Sequence, residues 1–252
     1  MSKDIKTDEK KQHFDDIYVK ENPVAYKTEI LDKLEYISDN FNKEMFDAHI
    51  LPFAQSKKDG VVNVLDLCAC FGNTTMATVR GMTYDDIRNN WKDENTCMTI
   101  ERPPRFDCHV TAVDISAPAM AYGEKVGLYD KGIVCNLNER ESADFQKTVA
   151  AMKEADVLIC TAALVYLDLD SVDALVESFA SNSSKDGYVL VNFLNPFALE
   201  KADQTKRILL KHLDFCASRA TRHRRMSSLE QQNYPGEEWS LLELWVLKRR
   251  RS

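Results

Sequence analysis

The chain has 252 residues, 44% hydrophobic and 29% charged, with a formal net charge of −7. A chain of this length and composition buries a full core without disulfides or metals, as a folded globular protein does. Its net acidity repels phosphate backbones and removes nucleic acid as the default partner, although residues 201–252 reverse the balance with 12 Lys+Arg against 6 Asp+Glu.

Residues 1–12 read as a frayed start, polar and without the apolar core of a leader peptide. From His13 to Phe53 the spacing is helical: Ile30, Leu31, Leu34 and Ile37 recur with a helical period, and so do Phe41, Met45, Phe46 and Ile50. Pro23 interrupts this region and Pro52 closes it. Residues 1–55 are therefore expected to form a helical cap or lid, and residues 56–252 the main domain.

A β-rich run follows at 61–67, then small residues and Gly72, then a helix starting at Asn73 or Thr74 and running to Gly81. Residues 83–106 read as an irregular insertion with one helical piece, Tyr84 to Trp91. Strands are expected at 109–114, 132–136, 156–161 and 187–193. Helices are expected after Ser116-Ala117-Pro118 and over 141–155, 170–181 and 199–213. The last two strands, 214–222 and 240–247, have only a polar connection between them and read as an antiparallel pair at the sheet edge. The alternation gives an α/β fold: a seven-stranded, mostly parallel sheet with helices on both faces and an antiparallel last strand.

The seven cysteines are odd in number, and Cys68, Cys108, Cys135 and Cys160 lie in or beside runs that read as buried strands. That usage suits a reducing, cytoplasmic setting. Cys68 and Cys70 have no second Cys pair with zinc-site spacing. No apolar stretch has the length of a membrane span, so no membrane partner is expected.

In an open parallel sheet, ligands bind beyond the carboxyl ends of the strands, where strand order reverses. Two signals fall there. The turn Asp66-Leu67-Cys68-Ala69-Cys70-Phe71-Gly72 leads into Asn73-Thr74, with small residues for close backbone approach and a helix start offering N–H groups to a carboxylate. Asp114 ends the next strand, where an acid can accept from ribose hydroxyls. Together they point to a nucleoside cofactor. The Gly-x-Gly-x-x-Gly turn of a nicotinamide-dependent oxidoreductase is absent.

On these residues the chain resembles the class I, Rossmann-like S-adenosylmethionine (SAM)-dependent methyltransferases over about residues 60–250. The family's acidic-x-Gly-x-Gly-x-Gly stands here as Asp66-x-Cys68-x-Cys70-x-Gly72, with cysteine at two glycine positions. The stretches 116–122 and 126–128 also resemble a subgroup whose first motif reads Asp-Leu-Cys-Cys-x-Tyr-Gly. The resemblance implies SAM as cofactor. It implies a cofactor site of Asp66, Cys68, Ala69, Cys70, Gly72 and Thr74, of Asp114 with Ile115, of Asn136 and Leu137 bracketing adenine, and of Thr161 and Ala162 after strand four. If Cys68 or Cys70 has positive φ the turn is strained, and if φ is negative cysteine is simply a small residue there; a packing role is favoured over redox sensing by Cys70.

Methyl transfer needs positioning and desolvation of the acceptor, with a base only where the acceptor keeps its proton. Tyr166 is the best-placed acceptor-side residue, and Tyr18 and Tyr26 lie in the lid; ordinary packing is the competing reading for each. No carboxylate cluster suggests a metal. Asn195, and His223 among Arg219, Arg222, Arg224 and Arg225, complete the candidates. An arginine there could clamp an acceptor carboxylate, though such a run is more often a solvated surface. A small-molecule methyl acceptor is expected; a non-catalytic SAM-binding scaffold and a protein methyltransferase are the alternatives. Oligomeric state is left open.

Overall fold

The computed structural model describes residues 11–57 and 60–251. Most of the frayed start expected over 1–12 lies outside the described residues.

The strands are β1 Val62–Leu67, β2 Cys108–Asp114, β3 Lys131–Val134, β4 Val157–Cys160, β5 Tyr188–Asn195, β6 Leu213–Arg225 and β7 Trp239–Arg249. They form one sheet in the order β3-β2-β1-β4-β5-β7-β6. The first five are parallel; β7 inserts between β5 and β6 and is antiparallel to both. The chain runs outward from β1 to β3, then returns to start β4 on the other side of β1. The reversal lies between β1 and β4, the point in an open α/β sheet beyond which ligands bind.

The central strands are rich in Val, Ile and Leu because both faces are covered. Val64, Val157, Ile159 and Leu190 point into one core. Leu65, Leu158, Val189 and Val191 point into the other. Helices α5 Asn73–Thr78 and α7 Ala117–Lys125 contribute Met76, Ala77 and Met120 to the first core. Helices α8 Ala143–Glu154, α9 Leu169–Ala180 and α10 Leu199–His212 cover the second through Phe145, Met152, Val172, Leu175 and Leu209. Ser116 and Ser142 cap α7 and α8 by accepting from backbone N–H groups three residues on.

The N-terminal region is helical but broken. It holds α1 Asp15–Tyr18, α2 Val24–Tyr26 running into a π-helical turn Lys27–Asp32, α3 Ser38–His49 and α4 Leu51–Ser56. Pro52 does not close the region. It sits in the first turn of α4, where a missing N–H costs nothing. Tyr26, Ile30, Leu31 and Phe46 share the first core with β1 and β4. Helix α6 Tyr84–Asn90 starts at a capping box on Thr83.

Two expectations need correction. The helix after β1 is capped by Gly72 rather than by Asn73 or Thr74, because the turn enters it through a left-handed residue. The polar connection after β6 contains α11 Ser228–Asn233, whose capping box joins Ser227 and Glu230. Its six residues have no apolar periodicity, and the only helical sign in the sequence is the Ser227-x-x-Glu230 spacing of the capping box itself.

Glu230 does more than cap. It accepts two parallel 2.7 Å hydrogen bonds from Arg224, and the pair is 3% and 0% exposed. It also accepts from the backbone N–H of Gln12 at 3.0 Å, which fastens the N-terminal segment to the sheet edge. Burial pushes the Glu230 carboxyl up, but Arg224 and the N–H groups of Ser227 and Gln12 outweigh that and hold it below its usual range. A depressed folded-state pKa gives stability that is present above the unfolded value and lost as pH falls through the folded one. Removing one partner of a buried pair costs about 3–5 kcal/mol. Glu230→Gln is therefore expected to lose several kcal/mol near neutral pH in urea unfolding and to free the N-terminal segment to protease. Wild-type stability in that variant would show that the latch carries little.

Candidate active site

The turn after β1 visits the left-handed region three times, at Cys68 (φ 55°), Cys70 (φ 51°) and Gly72 (φ 88°). Of the two backbones the sequence left open, the strained one is present: both cysteines occupy conformations that favour glycine. The backbone is held from several directions. Ala69 N–H donates to Val113 O at 3.1 Å, and the Tyr129 hydroxyl reaches the carbonyls of Ala69 and Cys70 at 3.4 and 3.3 Å. Cys70 N–H donates to Asp114 Oδ2 at 2.9 Å. Gly72 has a second reason to be glycine: a Cβ there would lie 2.1 Å from Leu128 Cδ2 and 2.6 Å from the Tyr129 hydroxyl.

Asp114 takes a second bond from Ser116 N–H at 2.8 Å. Ile115, between them, is 62% exposed, an apolar side chain standing clear at the strand end. Asp66 is 2% exposed and accepts from Thr75 Oγ1 at 2.6 Å. Burial raises the Asp66 carboxyl, Thr75 opposes this, and Asp114 and Asp39 add repulsion; its pKa is about 7. Asp114 is also raised by burial, with the N–H groups of Ser116, Cys70 and Ile115 offsetting part of it.

Asp39 escaped the sequence reading. It lies on α3, 1% exposed, and accepts from Asn73 Nδ2 at 2.8 Å, Thr74 Oγ1 at 3.2 Å and Asn42 Nδ2 at 3.3 Å. The helix start expected to receive a ligand carboxylate thus faces one of the protein's own. Thr74 Oγ1 also lies 2.8 Å from Thr161 Oγ1, so α3, α5 and the segment after β4 meet at one point. Burial raises Asp39, with Asn73, Asn42 and Thr74 in opposition. Its signal was present: Ser38, Asp39, Asn42, Met45 and Phe46 are the buried face of α3 at helical spacing, so three polar residues occupy a core stripe. None of Asp39, Asp66 and Asp114 forms an ion pair with Lys, Arg or His among the described residues.

The other expected residues are dispersed differently. Ala162 is left-handed (φ 57°), and its N–H donates to Asn192 Oδ1 at 2.7 Å. Leu137 is buried in the second core rather than standing free, and the Asn136 amide serves its own turn through Glu139 and Asn138 N–H. Tyr26 is buried between Phe71 (6.0 Å between ring centres) and Trp91 (6.1 Å), with Tyr18 6.0 Å away. Burial holds the Tyr18 and Tyr26 phenols well above their usual range. Tyr166 is pushed to about 12, chiefly by burial, and Arg224 only partly offsets this. Its hydroxyl accepts a hydrogen bond from Lys11 Nζ, which also sits 4.9 Å from the ring centre. All three phenols keep their protons at neutral pH.

The arginine run is committed elsewhere. Arg224 pairs with Glu230, Arg225 with Glu35, and Arg219 with Glu44, while Arg222 lies over the Trp239 ring. His223 is buried, with Nδ1 3.0 Å from Ser38 Oγ. Asn195 is exposed. Cys135 and Cys160 are buried, while Cys68 and Cys108 are only partly so. No helix among the described residues is long and apolar enough to cross a membrane. No group of three or more His, Cys, Asp and Glu side chains among them is arranged to hold a metal.

No family model and no curated protein matches the chain. Solved structures do. The N-methyltransferase NodS from Bradyrhizobium japonicum WM9, in complex with S-adenosyl-L-homocysteine, is 11% identical, with 96% of this chain and 99% of that chain covered and a TM-score of 0.49. A putative sarcosine dimethylglycine methyltransferase from Galdieria sulphuraria is 10% identical, with 83% and 86% covered and a TM-score of 0.49. Magnesium protoporphyrin IX methyltransferase from Synechocystis PCC 6803, with bound SAM, is 12% identical, with 83% and 79% covered and a TM-score of 0.44. Likenesses of this size assign no site and no substrate.

A carboxyl whose folded pKa is raised weakens the fold above that value, and the penalty fades as pH falls toward the unfolded value. Asp66→Asn keeps the acceptor for Thr75 and removes the charge. The variant should melt higher than wild type at pH 8, and the gap should close by about pH 4. An equal gap at both pH values would show that Asp66 is not a strained charge.

Proposed function

We propose that the chain is a SAM-dependent methyltransferase acting on an enclosed small-molecule acceptor. One observation carries this reading: Asp39 and Asp66, both buried, and Asp114, half-buried, surround the left-handed turn at the strand reversal, and among the described residues no cationic side chain is paired to any of them. Buried charge without a partner is costly and calls for a ligand of opposite sign. A sulfonium nucleoside bearing an ammonium group fits. A dinucleotide does not, because its pyrophosphate would face three carboxylates.

In this reading Asp114 takes the ribose hydroxyls, the exposed Ile115 lies against adenine, and Cys68 to Gly72 border the amino-acid end. Thr161 and Ala162 lie beside it, at the end of β4. When bound, SAM supplies a methyl group on a good leaving group. The protein's part is to orient the acceptor and keep water out. Residues up to about 55 serve as the lid. Support comes from Lys11 on Tyr166, from Gln12 on Glu230, and from the Ser116 hydroxyl donating to Tyr18 O. A cover fastened at three points suits a small acceptor better than a protein chain. Tyr166, protonated and next to Lys11, is a hydrogen-bond donor toward the acceptor rather than a base. The free state of all the cysteines supports the cytoplasm.

Calorimetry with SAM, S-adenosylhomocysteine (SAH) and NAD⁺ tests the proposal. The first two should bind and NAD⁺ should not; the reverse would replace the methyltransferase reading with an oxidoreductase one. Asp114→Asn should weaken SAM binding roughly 10- to 100-fold, the range of a charge-assisted hydrogen bond, and leave a cooperative melt. Unchanged affinity would remove Asp114 from the ribose site.

A further inference from the structure

We infer that Asp39, carried by the cap helix α3, is the counter-charge for the α-ammonium group of the bound cofactor. This rests on the proposed use of SAM and adds a binding residue outside the Rossmann-like domain.

Asp39 is a buried carboxylate served only by neutral donors, namely two amides and one hydroxyl. Three donors leave one of the roughly four acceptor positions of a carboxylate open. The donors at 3.2 and 3.3 Å are also longer than charge-assisted bonds normally are.

A second observation points the same way. Asn42, one turn along α3, is completely buried and gives its N–H to Asp39, while its Oδ1 has no hydrogen-bond partner among the described residues. The amide cannot be turned over, because its oxygen would then face a carboxylate oxygen. This corner of the site therefore lacks donors at two adjacent groups. A buried acceptor without a donor is costly. An ammonium group brings three N–H donors and a positive charge to both acceptors at once. A bridging water could satisfy Asn42, but it carries no charge to balance Asp39.

The location suits the amino-acid end of the cofactor. Asp39 is bonded to Asn73 and Thr74, directly after the Cys68–Gly72 turn, and through Thr74 it meets Thr161 after β4. Its charge is felt by Asp66 and by Tyr26, which also senses Cys70, so these groups lie near one another.

The test combines two ligands with two proteins. SAH and its deaminated analogue, with a butanoate in place of the homocysteine amino acid, differ only in the ammonium group. Calorimetry on wild type should show the deaminated analogue binding roughly 10- to 100-fold more weakly, as expected for a buried charge-assisted pair. In Asp39→Asn, SAH should weaken by a similar factor and the two ligands should become nearly equal. 5′-Methylthioadenosine lacks the amino-acid arm and should bind both proteins alike. Equal binding of the two SAH ligands by wild type would overturn the inference without needing any variant. So would a variant that still prefers the ammonium by the wild-type factor, or one that loses methylthioadenosine as well. If wild type binds none of the adenosyl ligands, the methyltransferase reading itself fails, which is a different result.

Discussion

The turn from Asp66 to Gly72 must pass through left-handed backbone at every second residue, and the rest of the site is arranged around that demand. Non-glycine residues pay about 1–2 kcal/mol for such a conformation. Two cysteines accept it here. The turn persists because its neighbours over-determine it. The end of β2 supplies a carbonyl to Ala69 and a carboxylate to Cys70, and Tyr129 reaches in from before β3. The end of β2 and the turn after β1 are thereby coupled through one hydrogen bond, from Cys70 N–H to Asp114.

Charge is stored at the same place as strain. Asp66 opens the turn, Asp114 accepts from its Cys70 N–H, and Asp39 on α3 accepts from Asn73 and Thr74, which follow it. Each is raised by burial, and Asp66 is raised further by the other two. Bonds within the protein relieve part of the cost; a cationic ligand would relieve the rest. In the proposed reading such a site trades stability for affinity: the protein alone bears the repulsion, and a cationic cofactor removes it on binding.

Much of this was legible in the sequence. β1, β2 and β4 announced themselves through β-branched runs ending in small or acidic residues, and the 3.6-residue periods placed α9 and α10 within a residue or two. Asp114 followed from its position at a strand end. What stayed hidden depended on contacts far apart in the chain. Asp39 meets Asn73 across 34 positions, Gln12 meets Glu230 across 218, and Lys11 meets Tyr166 across 155. Asp39 was masked by local grammar as well, since Ser-Asp near a helix start reads as capping although Ile37 holds the cap position. The sign of φ at Cys68 and Cys70 was equally out of reach, because composition alone allowed either backbone. Leu137 shows the opposite failure: a motif position suggested a ligand contact, and packing put the side chain in the core.

Different groups gather at the two sides of the strand reversal, and in the proposed reading that difference orients the chemistry of the reaction. The side bordered by β1, β2 and α3 presents carboxylates. The side beyond β4 presents Lys11 at the Tyr166 hydroxyl, with the Arg224–Glu230 pair behind it. A sulfonium held by the first side faces an acceptor held by the second. The same lysine is carried on the segment that Glu230 latches through Gln12. Closure of the cap and completion of the acceptor side are therefore one event in this reading: the residue that shapes the acceptor half arrives with the cover that excludes water from it.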